Sequence, residues 1–258
     1  MASAAKLQRH TERRKSGRFL AEGPNLVEAV AARGLVDEVF ATAAAAQRHS
    51  DLLADLPAGL PVRLITEGAA KALSDTVTPA GLVAVCRTPH TELAAVLADA
   101  PALIAVAVEI SEPGNAGTLI RIAHAMGADA VVFAGHSVDP YNGKCLRSSA
   151  GSIVGLPVIT EPDTAGVLAA LRAASVQMLA TTVDGEMTLD EAQPLLSRPT
   201  AWLFGPESRG LPAEVAAGAD HRIRIPMPGD AESLNVAAAA AICLYQSARA
   251  GPATRGSA

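Results

Sequence analysis

The chain has 258 residues, half of them hydrophobic and only 3% aromatic, with a formal net charge of −5. Its apolar runs are short and broken by Gly, Pro or charge, none reaching the roughly 20 residues of a membrane span, so no membrane partner is expected. Cys86, Cys145 and Cys243 stand far apart outside any CxxC and no apolar signal core opens the chain, which points to a reducing cytoplasm; with no HxxxH pair or Cys/His cluster, no metal is expected.

Charge is unevenly placed. Lys6, Arg9, Arg13, Arg14, Lys15 and Arg18 face Glu12 alone in the first twenty residues, a local +5 that leaves −10 on the remainder. Residues 1–17 read as a basic arm for a polyanionic partner, with a solvated terminus as the plain alternative. Strand and helix then alternate: strands over 18–22, 36–41, 61–66 and 81–86, and helices over 25–32 (capped by Asn25), 45–56 and 67–73. Residues 18–88 form a small α/β domain, and the Pro-flanked segment 89–101, with one alanine-rich helical stretch, is a linker.

The larger unit, residues 102–250, opens with the apolar run 102–110, suited to a central parallel strand buried on both faces. A loop over 111–117, a helix from Thr118 to Met126 and a strand over 130–133 complete a βαβ unit. Helices near 142–149 and 165–174 alternate with strands over 157–160, 177–182, 201–204 and 221–225. The series predicts an α/β fold whose mostly parallel sheet binds ligands at the C-terminal ends of its strands. Residues 226–233 form a polar loop, Ser233 stands at the N-cap position, and an alanine-rich helix runs to Gln246 before a tail over 251–258. Asn235, in the first turn, either caps that helix or meets a ligand.

No Gly-x-Gly occurs, which removes the dinucleotide fingerprint; Gly205 and Gly210 have P-loop spacing, but Leu211 stands where Lys is needed; no GxSxG is present. Three loops after strands remain, at 111–117, 205–211 and 226–233. They carry Asn115, Glu207 and Ser233, with Arg121 and Asn235 in the helices that follow. Singly each has a plain reading as cap or surface charge, which their joint placement weakens.

NAGTLIR (115–121), FGPESRGL (204–211) and IPMPGDAESLNV (225–236) resemble, in order, the three motifs of the SpoU/TrmH family of RNA 2′-O-methyltransferases. The acid before Pro-x-Asn, usually Asp in that family, is Glu112. The first domain resembles the L30e-like RNA-binding domain. The resemblance implies a SPOUT-type α/β domain with a C-terminal trefoil knot, a homodimer, and S-adenosylmethionine as methyl donor. It implies donor contacts at Leu203, Phe204, Gly205, Glu207, Gly210, Ile225, Pro226, Met227, Ser233, Leu234 and Asn235. Catalysis would fall to Arg121, Asn115, Glu207, Ser233 and Asn235, and RNA binding to Arg9, Arg13, Arg14, Lys15, Arg18 and Arg121. The implied substrate is a ribose 2′-hydroxyl of structured RNA, 23S rRNA before tRNA. A non-catalytic RNA-binding protein that kept the fold is the competing expectation.

Overall fold

A computed structural model describes residues 1–251, so the expected tail lies, from residue 252 on, outside the described residues. The chain forms two compact units, Met1–His90 with Asp139–Gly155, and Thr91–Val138 with the chain from Leu156 onward. In the first, the arm is helical. α1 (Ala2–Ala5) and a 3-10 turn (Lys6–Gln8) lead to α2 (His10–Ser16), which ends where Gly17 turns left-handed at φ 62°, a conformation that glycine adopts without a Cβ clash. Ala4 and Leu7 are buried with Phe40, Leu73, Val83 and Val85, so apolar burial fixes the arm to the body of this unit.

β1 (Arg18–Glu22), α3 (Pro24–Ala32), β2 (Val36–Thr42), α4 (Ala43–Arg48), α5 (Ser50–Ala54), β3 (Val62–Ile65), α6 (Glu67–Leu73) and β4 (Leu82–Arg87) follow. Their sheet has the order β1-β4-β2-β3, with β4 antiparallel to both neighbours and β2 parallel to β3. Strand ends shift by a residue, and two helices differ from the sequence reading. α3 starts at Pro24 behind Gly23 rather than at a cap on Asn25, since proline at a first helical position has no amide to satisfy. The single helix expected over 45–56 is two, because the Thr42 hydroxyl caps α4 by accepting from Ala45 N at 3.2 Å and the chain breaks at His49.

The second unit begins with α7 (Leu93–Ala98), β5 (Leu103–Val108), α8 (Pro113–Ala125) and β6 (Ala130–Ala134). α7 occupies the expected linker, where Leu93 and Val96 are buried in the core of this unit. The stretch Asp139–Gly155, with α9 (Gly143–Ser149), belongs to the first unit. β7 (Val158–Glu161), α10 (Thr164–Ala173), β8 (Gln177–Thr181), β9 (Met187–Thr188), β10 (Thr200–Phe204), α11 (Ala213–Gly218), β11 (His221–Arg224) and α12 (Val236–Ala250) complete the second. Its seven strands are parallel in the order β7-β6-β5-β10-β8-β11-β9. β5, β6 and β10 are buried throughout, as expected of parallel strands covered on both faces. The three cysteines are buried, and burial raises the Cys86 and Cys243 thiols well above their ordinary range, leaving them poor nucleophiles.

Arg13, grouped with the surface cations in the sequence, is an internal residue at 7% exposure. Its Nε donates to Asp139 Oδ2 at 2.7 Å, and Nη1 donates to the Leu7 and Gln8 carbonyls at 2.8 and 2.9 Å. Those partners engage three of the five guanidinium N–H donors within the first unit. Phe19 packs on Tyr141 with ring centroids 5.0 Å apart, and Arg147 pairs with Asp75. Removing one member of a buried ion pair strands the other, at a cost of about 3 kcal/mol. Arg13→Ala is therefore expected to lower the unfolding free energy of the full chain by about that amount, while the exposed Arg14→Ala changes it by less than ~0.5 kcal/mol. Urea unfolding of the two variants side by side checks this.

Candidate functional site

Strand order reverses between β5 and β10. From β5 the sheet runs through β6 to β7, and from β10 through β8 and β11 to β9. In an open parallel sheet, the crevice for a ligand lies at such a switch, outside the carboxyl ends of the strands. The loops after β5, β8, β10 and β11 all leave from that edge.

After β5, Glu112 caps α8 by accepting from Asn115 N at 2.7 Å. Glu112 is thus the N-cap of α8, a role the sequence reading did not assign. α8 consequently starts at Pro113, five residues before the expected Thr118, and most of the loop placed at 111–117 is its first turn. After β10, the Pro206 carbonyl accepts from Arg209 N and Gly210 N at 3.3 and 2.8 Å, closing a turn with Gly210 at φ 66°. A Cβ on Gly205 would stand 2.5 Å from Leu211 N, so this position admits only glycine without movement of the backbone. After β11, residues 225–235 are neither helix nor strand. The cap of α12 is Asn235 and not Ser233: Asn235 Oδ1 accepts from Ala237 N at 2.9 Å and Ala238 N at 3.4 Å.

One oxygen joins these three loops. Glu207 Oε1 accepts from Asn115 Nδ2 at 2.6 Å, Asn235 Nδ2 at 2.9 Å and Val236 N at 3.2 Å. Asn235 Nδ2 also lies 3.0 Å from Asn115 Oδ1. Bonds to a carboxylate are stronger than those between neutral groups, and here one of them also satisfies the Val236 amide, in the first turn of α12, which would otherwise lack a partner.

Glu207 also lines a cavity of about 740 Å³ walled by the loops after β8, β10 and β11, by α11 and by the first turns of α12. Ile225, Leu234, Val236 and Ala216 give it apolar surface; Asp184, Glu207, Arg209, Arg222 and Glu232 bring charge. Arg222 is held by Asp184 at 3.3 Å and Glu186 at 3.0 Å, and its amide donates to Glu186, a bond that keeps the Glu186 carboxyl below its ordinary range. Gly185, between those acids, lies against β11, where a Cβ would stand 2.6 Å from Arg224 N. Glu109, the residue after β5, adopts a left-handed φ of 53°, which costs a non-glycine residue about 1 kcal/mol.

Gly205, Glu207, Gly210, Ile225, Met227, Ser233 and Leu234, all expected donor contacts, line the cavity. Leu203 and Phe204 are instead fully buried in β10, which lies between β5 and β8. Pro226 is not among the lining residues, and Asn235 belongs to the hydrogen-bonded junction. Arg121 is exposed on α8, outside the cavity wall, with no ion pair among the described residues. On the first unit Arg9, Arg14, Lys15 and Arg18 are exposed, Arg18 lying 3.0 Å from Asp37. Sequence reasoning missed the wall formed by 181–184 and the cations Arg209 and Arg222. The position of 181–184 after a parallel strand was the usable signal, whereas Arg222 is masked by the strand alternation around it.

Residues 102–245 match the SpoU rRNA Methylase family, and residues 2–84 match the MRM3-like substrate binding domain. The chain belongs to the SpoU rRNA methylase family. Among its relatives is the Bacillus subtilis (strain 168) protein named 23S rRNA (guanosine(2553)-2′-O)-methyltransferase RlmP, 35% identical over 245 residues that cover 93% of this chain and 92% of that one. A solved RNA 2′-O ribose methyltransferase superimposes with a TM-score of 0.80 at 32% identity, covering 96% of this chain and 95% of the other. The SpoU methyltransferase AviRb from Streptomyces viridochromogenes, solved in complex with the cofactor AdoMet, gives a TM-score of 0.83 at 26% identity, with 96% of each chain covered. The family match spans all three loops that meet at Glu207.

Gly205→Ala is expected to destabilise the protein by about 2 kcal/mol, because a methyl group would have to displace backbone. Gly229→Ala, in the same site but with nothing within 4 Å of the added carbon, should stay within ~0.5 kcal/mol of the parent. Thermal and urea unfolding distinguish the pair.

Proposed function

We propose that this chain transfers a methyl group from S-adenosylmethionine to a ribose 2′-hydroxyl of 23S rRNA. The observation that carries the reading is the meeting of three family motifs at Glu207, on the wall of a cavity of about 740 Å³. That volume lies within the range of about 300–1,000 Å³ usual for cofactor sites. Its apolar walls suit an adenine ring, and Gly205 leaves room for a ligand to approach backbone.

S-adenosylmethionine, when bound, supplies an electrophilic methyl on a sulfonium. The protein must align the hydroxyl with it and accommodate the departing proton. Arg121 is exposed, and a guanidinium, which keeps its proton in proteins, is no general base. Its role is to hold an RNA phosphate and stabilise the developing alkoxide, the proton going to a phosphate oxygen or another group. Asn115 has both ends of its amide engaged by Glu207 and Asn235, so it serves the site by fixing α8 to the start of α12. Glu207 orders the loop after β10, and Ser233 contributes to the donor wall.

Arg9, Arg14, Lys15 and Arg18 hold RNA phosphates, a role supported by their exposure and by the match of this segment to a substrate-binding domain. The enzyme works as a cytoplasmic homodimer. Among the described residues no helix is long and apolar enough to cross a membrane; α12 exposes Ile242 and Tyr245 beside Ala238 on one stripe, an apolar strip of the kind that a second copy covers. The segment after β11 is threaded as a trefoil knot, a reading favoured by the two glycines, Gly185 and Gly205, that admit backbone against backbone.

Labelled methyl transfer to total RNA, followed by mapping of alkali-resistant positions, is expected to mark 23S rRNA and leave tRNA unlabelled. In single turnover at saturating RNA, Arg121→Ala should slow transfer by about 10²–10³-fold. An unchanged rate with weaker RNA binding would reduce Arg121 to an anchor.

A further inference from the structure

The donor proposed above ends in an amino acid, whose ammonium and carboxylate both need partners. Asp184, Glu207 and Glu232 line the cavity and suit the ammonium, but the same acids repel a carboxylate. Two cations line the cavity among the described residues, Arg209 and Arg222. Arg222 is engaged on two sides, by Asp184 and Glu186. Arg209 is 73% exposed, and its only ion pair among the described residues is with Glu109, whose Oε2 lies 3.7 Å from Nη2. That is longer than the roughly 2.7–2.9 Å of a charge-assisted hydrogen bond, so Arg209 retains donor capacity.

Glu109 is held in place despite its backbone strain. Its amide donates to the Ala134 carbonyl at 3.1 Å, and Gly135 leaves room for its side chain: a Cβ there would stand 3.3 Å from Glu109 Cγ. A strained non-glycine residue at the carboxyl end of β5, with its carboxylate toward a cation of the cavity wall, is an arrangement that folding alone does not favour. We propose that Arg209 binds the carboxylate of the donor's amino-acid tail, and that Glu109 is a positioning residue that holds the Arg209 guanidinium at the cavity. The inference rests on the donor reading, to which it adds the group that recognises the amino-acid end.

Two ligands separate the contributions. S-adenosylhomocysteine keeps the tail without the transferable methyl, and 5′-methylthioadenosine lacks the tail altogether. Each is titrated calorimetrically into the parent protein, Arg209→Ala and Glu109→Gly, the last accepting φ 53° without strain, with thermal unfolding to confirm that the variants are folded. Arg209→Ala should weaken S-adenosylhomocysteine about tenfold and methylthioadenosine less than about twofold. Glu109→Gly should act in the same direction by a smaller factor, again only on the ligand with the tail. Equal losses for both ligands, or no loss for either, overturn the assignment, as does an Arg209→Ala defect confined to RNA affinity. Failure of the parent protein to bind either ligand would overturn the donor reading itself.

Discussion

Glu207 Oε1 accepts hydrogen bonds from Asn115, 92 positions earlier, and from Asn235 and Val236, 28 and 29 positions later. Asn235 Nδ2 spans the same three motifs, donating to Glu207 Oε1 and lying 3.0 Å from Asn115 Oδ1. A carboxylate oxygen suits the junction because it only accepts, carries full charge and has room for several donors. A neutral amide in its place would bring N–H groups into a cluster that already contains two side-chain amides. The start of α12, the first turn of α8 and the loop after β10 are therefore set by one ionised group.

The parallel sheet makes this convergence possible. β5 and β10 are adjacent while their connections lead to opposite sides, so the loops that follow them face each other across an open edge. Continuous burial of β5, β6 and β10 gives that edge a rigid base, and the close approaches at Gly185 and Gly205 show backbone brought together more tightly than side chains permit. Chemistry is then assigned to loops, while apolar packing fixes where they begin.

All the strands except the two-residue β9 were legible in the sequence because β-rich apolar runs bounded by turn residues leave few alternatives, and the three motif loops were legible from residue type and order. Helix starts were less so. Glu112 was not read as a cap because Glu is an uncommon capping residue, and Ser233 was preferred to Asn235 although both carry capping side chains. The charge of Arg13 suggested a surface residue. Its burial depends on Asp139, 126 positions away, and no local pattern reports such a pairing. The wall at 181–184 and the left-handed Glu109 also arise only once β8 and β5 take their places in the sheet.

The Arg13–Asp139 pair also bears on the order in which the protein is made. The first unit is discontinuous in the chain, drawing on Asp139–Gly155 as well as Met1–His90. When the ribosome has delivered residue 90, Arg13 has no counter-charge and Phe19 lacks the ring of Tyr141. The missing elements arrive only after β5, α8 and β6 have been synthesised, a delay of several seconds at about 5–20 residues per second. During that interval burial of Arg13 would leave its charge uncompensated, which disfavours docking of α2. Vectorial synthesis thus makes completion of the first unit conditional on translation well into the methyltransferase region.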